Sequence, residues 1–235
     1  MSPAEKPRDG PARLACLLAR QRIDAVLDVG ANAGQYGTML RQAGYGGPIL
    51  SFEPLAEPRA ALARAAGEDP LWRLAPPLAL GDRAGEATID VSAESDMSSI
   101  LPQAAMLRDL SPSSAVLERR RVTTARLDAR ETLLDPAWRR MHLKIDVQGY
   151  EPQVLDGAAG LMDRIATLQL ELALEPVYVG ETGWRAMVDR LTEAGFRLAL
   201  VLPGYFERKL GRMLQFDGVF IRHDAGDPAA DHLPN

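Results

Sequence analysis

Short apolar runs alternate with amphipathic segments along most of the chain. The first run covers residues 25–29, and it is followed by helical spacing over residues 35–43 and a second run over residues 49–52. Runs of this length are typical of buried strands, and strands that alternate with helices favour a parallel sheet. The other predicted helices cover residues 11–20, 57–66 and 184–194, with one more from about residue 151; the other predicted strands cover residues 71–80, 141–145, 168–174, 197–202 and 213–221.

This pattern predicts a doubly wound α/β fold with a mostly parallel, seven-stranded sheet. The last strand follows a charged loop at residues 204–212 rather than a helix, so we expect it to run antiparallel to its neighbours. Pro76 and Pro77 interrupt the third strand, which favours a position at the edge of the sheet.

The alternation breaks between residues 82 and 127. Residues 82–85 predict a turn, residues 86–91 and 122–127 alternate as exposed strands do, and residues 92–114 are polar and irregular. We expect an inserted hairpin or lid that lies over the ligand site. The predicted organisation is therefore a lead with a short helix (residues 1–21), one domain (residues 22–223) and a disordered tail (residues 224–235).

Composition narrows the class of protein. The 235 residues carry a net charge of −5, and 46% are hydrophobic, which suffices for one core but gives no general nucleic-acid footprint. The basic run at residues 118–121 predicts a solvated face. A single cysteine, Cys16, excludes an internal disulfide and a cysteine-based zinc site. No secretory signal or membrane-length apolar run is present, so we expect a cytoplasmic protein without nucleic-acid or membrane partners.

A glycine-rich turn follows the first predicted strand. Asp28, Gly30 and Gly34 form the pattern Asp-x-Gly-x-x-x-Gly, in which the missing Cβ atoms allow a sharp turn and close approach of a ligand. Glu53 ends the second strand, where a carboxylate can accept both hydroxyls of a ribose. The sequence therefore predicts a nucleoside site.

The same turn argues against a dinucleotide. The dinucleotide fingerprint places glycine where this chain has Gly30, Asn32 and Gln35, so a pyrophosphate would be crowded at two positions. Asp28 adds negative charge that suits the cationic end of S-adenosylmethionine. This cofactor is favoured, while a nucleotide-binding oxidoreductase and a non-catalytic nucleoside-binding module are the alternatives.

A second cluster of polar residues follows the fourth parallel strand. Asp146 ends that strand, and Lys144 shares its face, where a buried lysine needs a partner such as Asp146 or Glu171. Glu151 opens the next helix, which indicates either simple charge placement at a helix N-terminus or a functional role.

Several short segments have the sequence of one enzyme family. They are DVGANAG at 28–34, FEP at 52–54, ALGD at 79–82, SS at 98–99, LD at 127–128, LKIDVQGYE at 143–151 and VLDG at 154–157. Over residues 22–222 the chain resembles the FkbM-type S-adenosylmethionine-dependent methyltransferases, which implies a Rossmann-like class I methyltransferase fold. It also implies methyl transfer, usually to a hydroxyl of a natural product or saccharide.

The resemblance assigns roles to residues of the turn and the strand ends. Asp28, Gly30, Asn32 and Gly34 would line the methionine end of the cofactor, and Glu53 would hold the ribose. Asp82 has two interpretations, because it either approaches the adenine edge or begins the turn at residues 82–85.

Methylation of a hydroxyl calls for a general base or a metal, since an alcohol is a weak nucleophile at neutral pH. His142, His223 and His232 fall at the wrong edge of the predicted sheet or in the tail. We therefore predict catalytic roles for Asp146, Glu171 and Lys144. The alternative is that Asp146 and Glu171 hold Mg²⁺. Glu171 has a further interpretation as the partner of Lys144, and Tyr150 and Tyr178 either line the acceptor pocket or pack.

Overall fold

The computed structural model describes residues 9–223, so the predicted tail and most of the predicted lead lie outside the described residues. The helices are α1 (Gly10–Arg20), α2 (Gln35–Gln42), α3 (Ala56–Ala66), α4 (Ala105–Leu110), α5 (Glu151–Gly157) and α6 (Trp184–Glu193). The strands are β1 (Ala25–Val29), β2 (Ile49–Phe52), β3 (Trp72–Leu74), β4 (Ala79–Leu80), β5 (Gly85–Ser92), β6 (Val116–Ala125), β7 (Met141–Ile145), β8 (Ile165–Ala173), β9 (Phe196–Pro203), β10 (Phe206–Glu207), β11 (Arg212–Met213) and β12 (Gln215–Arg222). Short 3₁₀ turns, among them Ser95–Met97, lie between them.

Seven of these strands form the central sheet, in the order β3-β2-β1-β7-β8-β12-β9. Strand β12 pairs antiparallel with both β8 and β9, while the other pairings in this sheet are parallel. The predicted fold class, with its antiparallel last strand, is confirmed. The order reverses beside β1, so the carboxyl ends of β1 and β7 meet where ligands bind in such sheets.

Alternate residues of β1 face two different hydrophobic layers. Val26 packs with Leu14, Leu18 and Leu40 of the helices on one face of the sheet. Leu27 packs on the other face, in the cluster that holds the apolar residues of α5 and α6. Both faces are covered by helices, which explains why β1 is buried along its whole length.

Helix α1 is part of this core. Leu14 and Leu18 are fully buried against the sheet. Asp9 is the N-cap of the helix, and its Oδ1 accepts a hydrogen bond from Ala12 N at 2.8 Å. The predicted division after residue 21 therefore separates two segments that share one hydrophobic cluster.

The edge position predicted for the third strand is confirmed, but residues 71–80 form two strands rather than one interrupted strand. The first is β3, which lies at the edge of the central sheet, and the second is β4, which pairs with β6 in a separate three-stranded sheet. Pro76 and Pro77 lie between them, and because proline donates no ladder hydrogen bond the chain can leave one sheet there and enter another.

The inserted segment contains a long hairpin. Residues 85–92 of β5 pair antiparallel with residues 116–124 of β6, so β6 begins well before the strand predicted over residues 122–127. Arg119 and Arg120 of β6 pair with Asp90 and Glu57, which agrees with a solvated face of mixed charge. Residues 92–114, predicted as irregular, include α4, whose Leu107 packs against Tyr178 and Leu214.

Within residues 9–223 we find no helix with both the length and the apolar character that crossing a lipid bilayer requires.

Gly157 provides a test of how closely α5 packs on the chain after β4. A Cβ atom at this position would lie 2.0 Å from the backbone oxygen of Gly81, which cannot move aside as a side chain can. We expect Gly157→Ala to lower the free energy of unfolding by about 1–3 kcal/mol or more, measured by urea denaturation. Gly46→Ala is the control, because Gly46 is exposed and a Cβ there meets nothing within 4 Å. An unchanged urea midpoint for Gly157→Ala would contradict this packing.

Candidate functional site

Two adjoining cavities open at the carboxyl ends of β1, β2 and β7. Together with the open space at their mouths, they have volumes of about 660 Å³ and 770 Å³. Both are lined by Gly30, Asn32, Asp96 and Asp146, so they share one wall. The first extends over the end of β2 towards the insertion, and the second extends over α2 towards β8 and β12.

The turn after β1 is held in left-handed backbone conformations. Gly30, Asn32 and Gly34 have φ values of 71°, 46° and 88°. A Cβ atom at Gly30 would lie 1.8 Å from the backbone oxygen of Asp146, so only glycine permits this approach of the turn to the end of β7. Gly34 lies outside both cavity linings, because it packs against Ala65 of α3.

Glu53 lies in the first cavity with 6% of its surface exposed. Its Oε2 accepts a hydrogen bond from Asn32 N at 2.9 Å, and its Oε1 accepts one from Leu55 N at 2.8 Å. Burial raises the pKa of the Glu53 carboxyl, although these two hydrogen bonds and the charge of Lys144 oppose the rise. The carboxylate is thus fixed in orientation while each oxygen keeps capacity for a further donor.

Asp28 does not line either cavity, contrary to the position expected at the methionine end. It is fully buried, and its carboxylate lies 3.3 Å from Lys144 Nζ and accepts a hydrogen bond from Ser51 Oγ at 3.1 Å. Lys144, its neighbour in register on β7, lines the second cavity instead. Asp28 therefore supports the site from behind Lys144 and adds negative charge that contributes to the raised pKa of Glu53.

Asp82 also lies outside the two cavity linings. The walls here are formed by Ala79 and Leu80 instead. Asp82 follows β4, its backbone oxygen accepts a hydrogen bond from Arg126 Nη1 at 2.8 Å, and its carboxylate lies 3.9 Å from Arg83. This placement favours the turn interpretation over contact with a ligand.

Lys144 is 5% exposed and lines the second cavity. Its Nζ donates to the backbone oxygen of Gly30 at 3.0 Å and lies 3.5 Å from Asp146 Oδ2. Burial alone would lower the pKa of Lys144, but the charges of Asp146 and Asp28 outweigh burial and raise it. The sequence suggested Asp146 or Glu171 as the partner of Lys144, and the ion pair that forms is with Asp146.

Gln148 connects the predicted catalytic carboxylates. Its Nε2 donates to Asp146 Oδ1 and to Glu171 Oε2, both at 2.8 Å, and its Oε1 accepts a hydrogen bond from Tyr178 OH at 2.8 Å. Its backbone has a φ of 58°, which is uncommon for a residue other than glycine. Sequence reasoning missed this role, although the residue lies in the most specific of the recognised segments.

Glu171 lies outside both cavity linings. Its Oε2 accepts hydrogen bonds from Gln148 and from Gln215 Nε2 at 3.0 Å, and burial together with neighbouring carboxylates raises its pKa well above the ordinary value. The amide of Gln148 lies between Glu171 and Asp146, where the magnesium alternative would need the ion. Within the part of the chain that the structure describes, no three His, Cys, Asp or Glu side chains are placed to hold a metal ion, and the magnesium alternative has no support.

Glu151 closes the turn after β7. Its Oε1 accepts hydrogen bonds from Val147 N at 3.0 Å and Gly149 N at 3.2 Å, and burial raises its pKa to about 8. Its contacts hold the turn, which is a more specific role than charge placement. Tyr150 lines the first cavity, whereas Tyr178 is a core residue.

Asp217 and Gln169 line the second cavity and were not predicted. Gln169 Nε2 donates to Asp217 Oδ1 at 3.3 Å, and burial together with the charge of Asp146 raises the pKa of Asp217 to about 6. The antiparallel direction of β12 brings its first residues to the ligand edge of the sheet. The same reasoning that excluded His223, at the far end of this strand, would have placed Asp217 at the ligand edge of the sheet, but not in the cavity lining.

The insertion forms the roof of the site, as predicted. Ser95 Oγ donates to Asn32 Oδ1 at 3.0 Å, and Ser99 Oγ donates to the backbone oxygen of Gln148 at 2.6 Å. Ile89 and Ile100 add apolar surface to the first cavity. The first cavity therefore offers an apolar slot that ends in a carboxylate, and the second offers a polar, charged chamber.

Several solved structures resemble this chain at low sequence identity. Fibrillarin, a pre-rRNA processing protein of Methanococcus jannaschii, has 10% identity and a TM-score of 0.50, over 86% of this chain and 67% of its own. The O-methyltransferase TomG from Streptomyces achromogenes, in complex with SAM and involved in tomaymycin synthesis, has 11% identity and a TM-score of 0.49. The match covers 90% of this chain and 79% of TomG. A TehB-like SAM-dependent methyltransferase from Corynebacterium glutamicum has 12% identity and a TM-score of 0.43, and the match covers 91% of this chain and 88% of that protein. At such identities the likeness concerns the fold alone.

The family comparison is more specific. No curated protein matches the chain. The model of the methyltransferase FkbM domain matches residues 28–198, which include the glycine turn, Glu53 and the segment after β7. The match covers well over half of the chain and agrees with the resemblance found in the motifs. The chain therefore belongs to the FkbM family and is an S-adenosylmethionine-dependent methyltransferase.

Proposed function

We propose that this methyltransferase acts on a hydroxyl group of an uncharged small molecule or saccharide. The observation that carries the proposal is the second cavity, which adjoins the first through Gly30, Asn32 and Asp146. It is lined by carboxylates and amides, and the one lysine in its lining is already paired with Asp28 and Asp146.

The residues of the first cavity fit an adenosyl group. Glu53 presents two oriented carboxylate oxygens that suit a ribose diol, and Leu55, Ile89 and Ile100 give apolar walls for a base. Asn32 Nδ2 is buried without a hydrogen-bond partner among the described residues, at the wall that both cavities share. We assign the Asn32 amide to the methionine end of the cofactor. When bound there, S-adenosylmethionine supplies a methyl group on a sulfonium centre.

Glu53→Gln tests the assignment of the ribose. The substitution keeps the volume of the side chain but replaces one acceptor oxygen by a donor. We expect affinity for S-adenosylhomocysteine to fall about 10- to 100-fold, the usual cost of losing a hydrogen bond to a charged group, measured by calorimetry. Glu68→Gln, at an exposed carboxylate after α3, should leave affinity unchanged. Equal affinities for wild type and Glu53→Gln would remove the ribose from this position.

The charges of the second cavity select against an anionic acceptor. Asp96, Asp146 and Asp217 line it, while Lys144 is its only lysine or arginine among the described residues. A phosphate or carboxylate on the acceptor would meet net negative charge at short range, which is costly where water is partly excluded. Hydroxyl groups, by contrast, can donate to the carboxylates.

An acceptor panel tests the proposal directly. Purified enzyme is incubated with S-adenosylmethionine and neutral methyl glycosides or their phosphorylated counterparts, and release of S-adenosylhomocysteine is measured against a blank without acceptor. We expect transfer to neutral glycosides, with kcat/KM lower by about tenfold or more for the phosphorylated ones. Transfer to phosphorylated acceptors or polynucleotides alone would overturn the proposal. Cofactor binding without any transfer would favour a non-catalytic module.

Asp146 lies where the two cavities meet, so it could contact the cofactor, the acceptor or both. Measuring cofactor affinity and turnover in the same variant separates these contributions. Asn at this position still accepts the hydrogen bond from Gln148 but loses the ion pair with Lys144. We expect Asp146→Asn to keep affinity for S-adenosylhomocysteine within about tenfold while kcat falls on the order of 100-fold. Asp163→Asn, at an exposed carboxylate, is the control. Equal losses of binding and turnover would identify Asp146 as a cofactor ligand instead.

A further inference from the structure

We propose that Asp217 is the general base that takes the proton from the acceptor hydroxyl. This inference rests on the proposed function. The acceptor O–H bond breaks as its oxygen forms a bond to the methyl carbon, and the carbon–sulfur bond breaks with its electron pair staying on sulfur. The proton goes to Oδ2 of Asp217, and the products are a methyl ether and S-adenosylhomocysteine.

The position of Asp217 suits this role. It is half-buried near the start of β12, it lines the second cavity together with Asp146 and Lys144, and its Oδ1 is held by Gln169 Nε2. Among residues 9–223, neither a hydrogen bond nor an ion pair engages Oδ2. One oxygen is thus fixed by a neutral amide, and the other is available to a hydroxyl in the cavity.

The other carboxylates near the site are less suited. Both oxygens of Asp146 are engaged, Oδ1 by Gln148 and Oδ2 by Lys144, so its negative charge is already stabilised. Glu171 lies outside the cavity linings and accepts hydrogen bonds from two amides. Asp96 is on an exposed turn of the insertion, without a side chain that orients it among the described residues.

A chain of hydrogen bonds orients Gln169. Tyr36 OH donates to Gln169 Oε1 at 2.9 Å, so the amide must direct its Nε2 at Asp217. Tyr36 in turn lies 2.8 Å from His142 Nε2, and His142 Nδ1 lies 2.7 Å from Thr167 Oγ1. Burial and the charge of Lys144 lower the pKa of His142 to about 3, so the ring is neutral and can accept at one nitrogen while donating at the other.

The groups that face Asp217 bring its pKa close to the pH at which a general base works best. Burial and the carboxylate of Asp146 raise its pKa to about 6, while Gln169 and Lys144 oppose the rise. Glu171 and Tyr36 also face it, since Asp217 contributes to the raised pKa of each, and Asp96 lines the same cavity. A base whose pKa lies near the working pH is both deprotonated and an effective proton acceptor. Below about pH 6 the Asp217 carboxyl is protonated and cannot serve, so activity should fall there.

Asp217→Asn, assayed with a glycoside that the wild type methylates, is the central test. We expect kcat at neutral pH to fall on the order of 10²- to 10⁴-fold and the decline of kcat on the acid side to disappear. Affinity for S-adenosylhomocysteine should stay within about threefold, which is a change of less than about 0.7 kcal/mol, because Asp217 is placed against the acceptor and not against the cofactor. Asp217→Glu should recover part of the activity. Asp189→Asn, at an exposed carboxylate of α6, is the matched control and should change none of these quantities.

A second measurement does not depend on turnover. In wild-type enzyme labelled with carboxyl-¹³C aspartate and saturated with S-adenosylhomocysteine, one resonance should titrate near pH 6 and be absent from Asp217→Asn. Gln169→Leu should move this midpoint upward, since it removes a hydrogen bond that favours the charged form. If Asp217→Asn does not fold, the wild-type and Gln169→Leu titrations decide, and no aspartate titrating clearly above the ordinary value of about 4 overturns the inference.

The outcomes separate this inference from the function on which it rests. Wild type that methylates no hydroxyl acceptor refutes the proposed function, and the role of Asp217 as a base with it. Active wild type with equal activity and an unchanged pH profile in Asp217→Asn refutes only the role of Asp217. A proportional loss of cofactor affinity in Asp217→Asn would also overturn it, because Asp217 would then be a cofactor ligand.

Discussion

The site depends on one buried charge, the ammonium group of Lys144. A lysine in the core of a sheet is costly unless it is paired, and here it lies between the carboxylates of Asp28 and Asp146 while donating to the backbone oxygen of Gly30. These contacts join the ends of β1 and β7, the two strands between which the sheet order reverses. The same cation therefore fixes the glycine turn, holds the carboxylate at the shared wall of both cavities, and leaves the second cavity without a free positive charge.

On the side of the site away from Lys144, the neutral side chain of Gln148 holds the carboxylates in place. Its amide connects Asp146 to Glu171, and the backbone oxygen of Gln148 accepts a hydrogen bond from Ser99 of the insertion. The roof over the first cavity is thus attached to the residue that orients Asp146. These contacts together stabilise the left-handed backbone at Gln148. We therefore expect a displacement of the insertion to displace the residues of the cleft with it.

Much of the fold followed from local pattern. Buried strands such as β1 and β7 need apolar residues on both faces, which produces runs that stand out in the sequence. The prolines at 76 and 77 indicated an interruption, but only pairing with β6 shows that the chain changes sheets there. Residues 92–114 gave no periodic signal, because α4 is short and packs through one well-buried leucine, Leu107.

The sequence by itself identified the family, the glycine turn after β1 and the acidic residue that follows β2, since these are short motifs whose residues lie close together in the chain. Only the tertiary structure decided which carboxylates face the cavities. Asp28 and Asp217 both lie on strands of the central sheet, yet Asp28 is buried behind Lys144 while Asp217 lines the second cavity. The sequence predicted the direction of β12, but only the order and register of the strands show that Lys144 lies beside Asp28 and Gln169 beside Asp217.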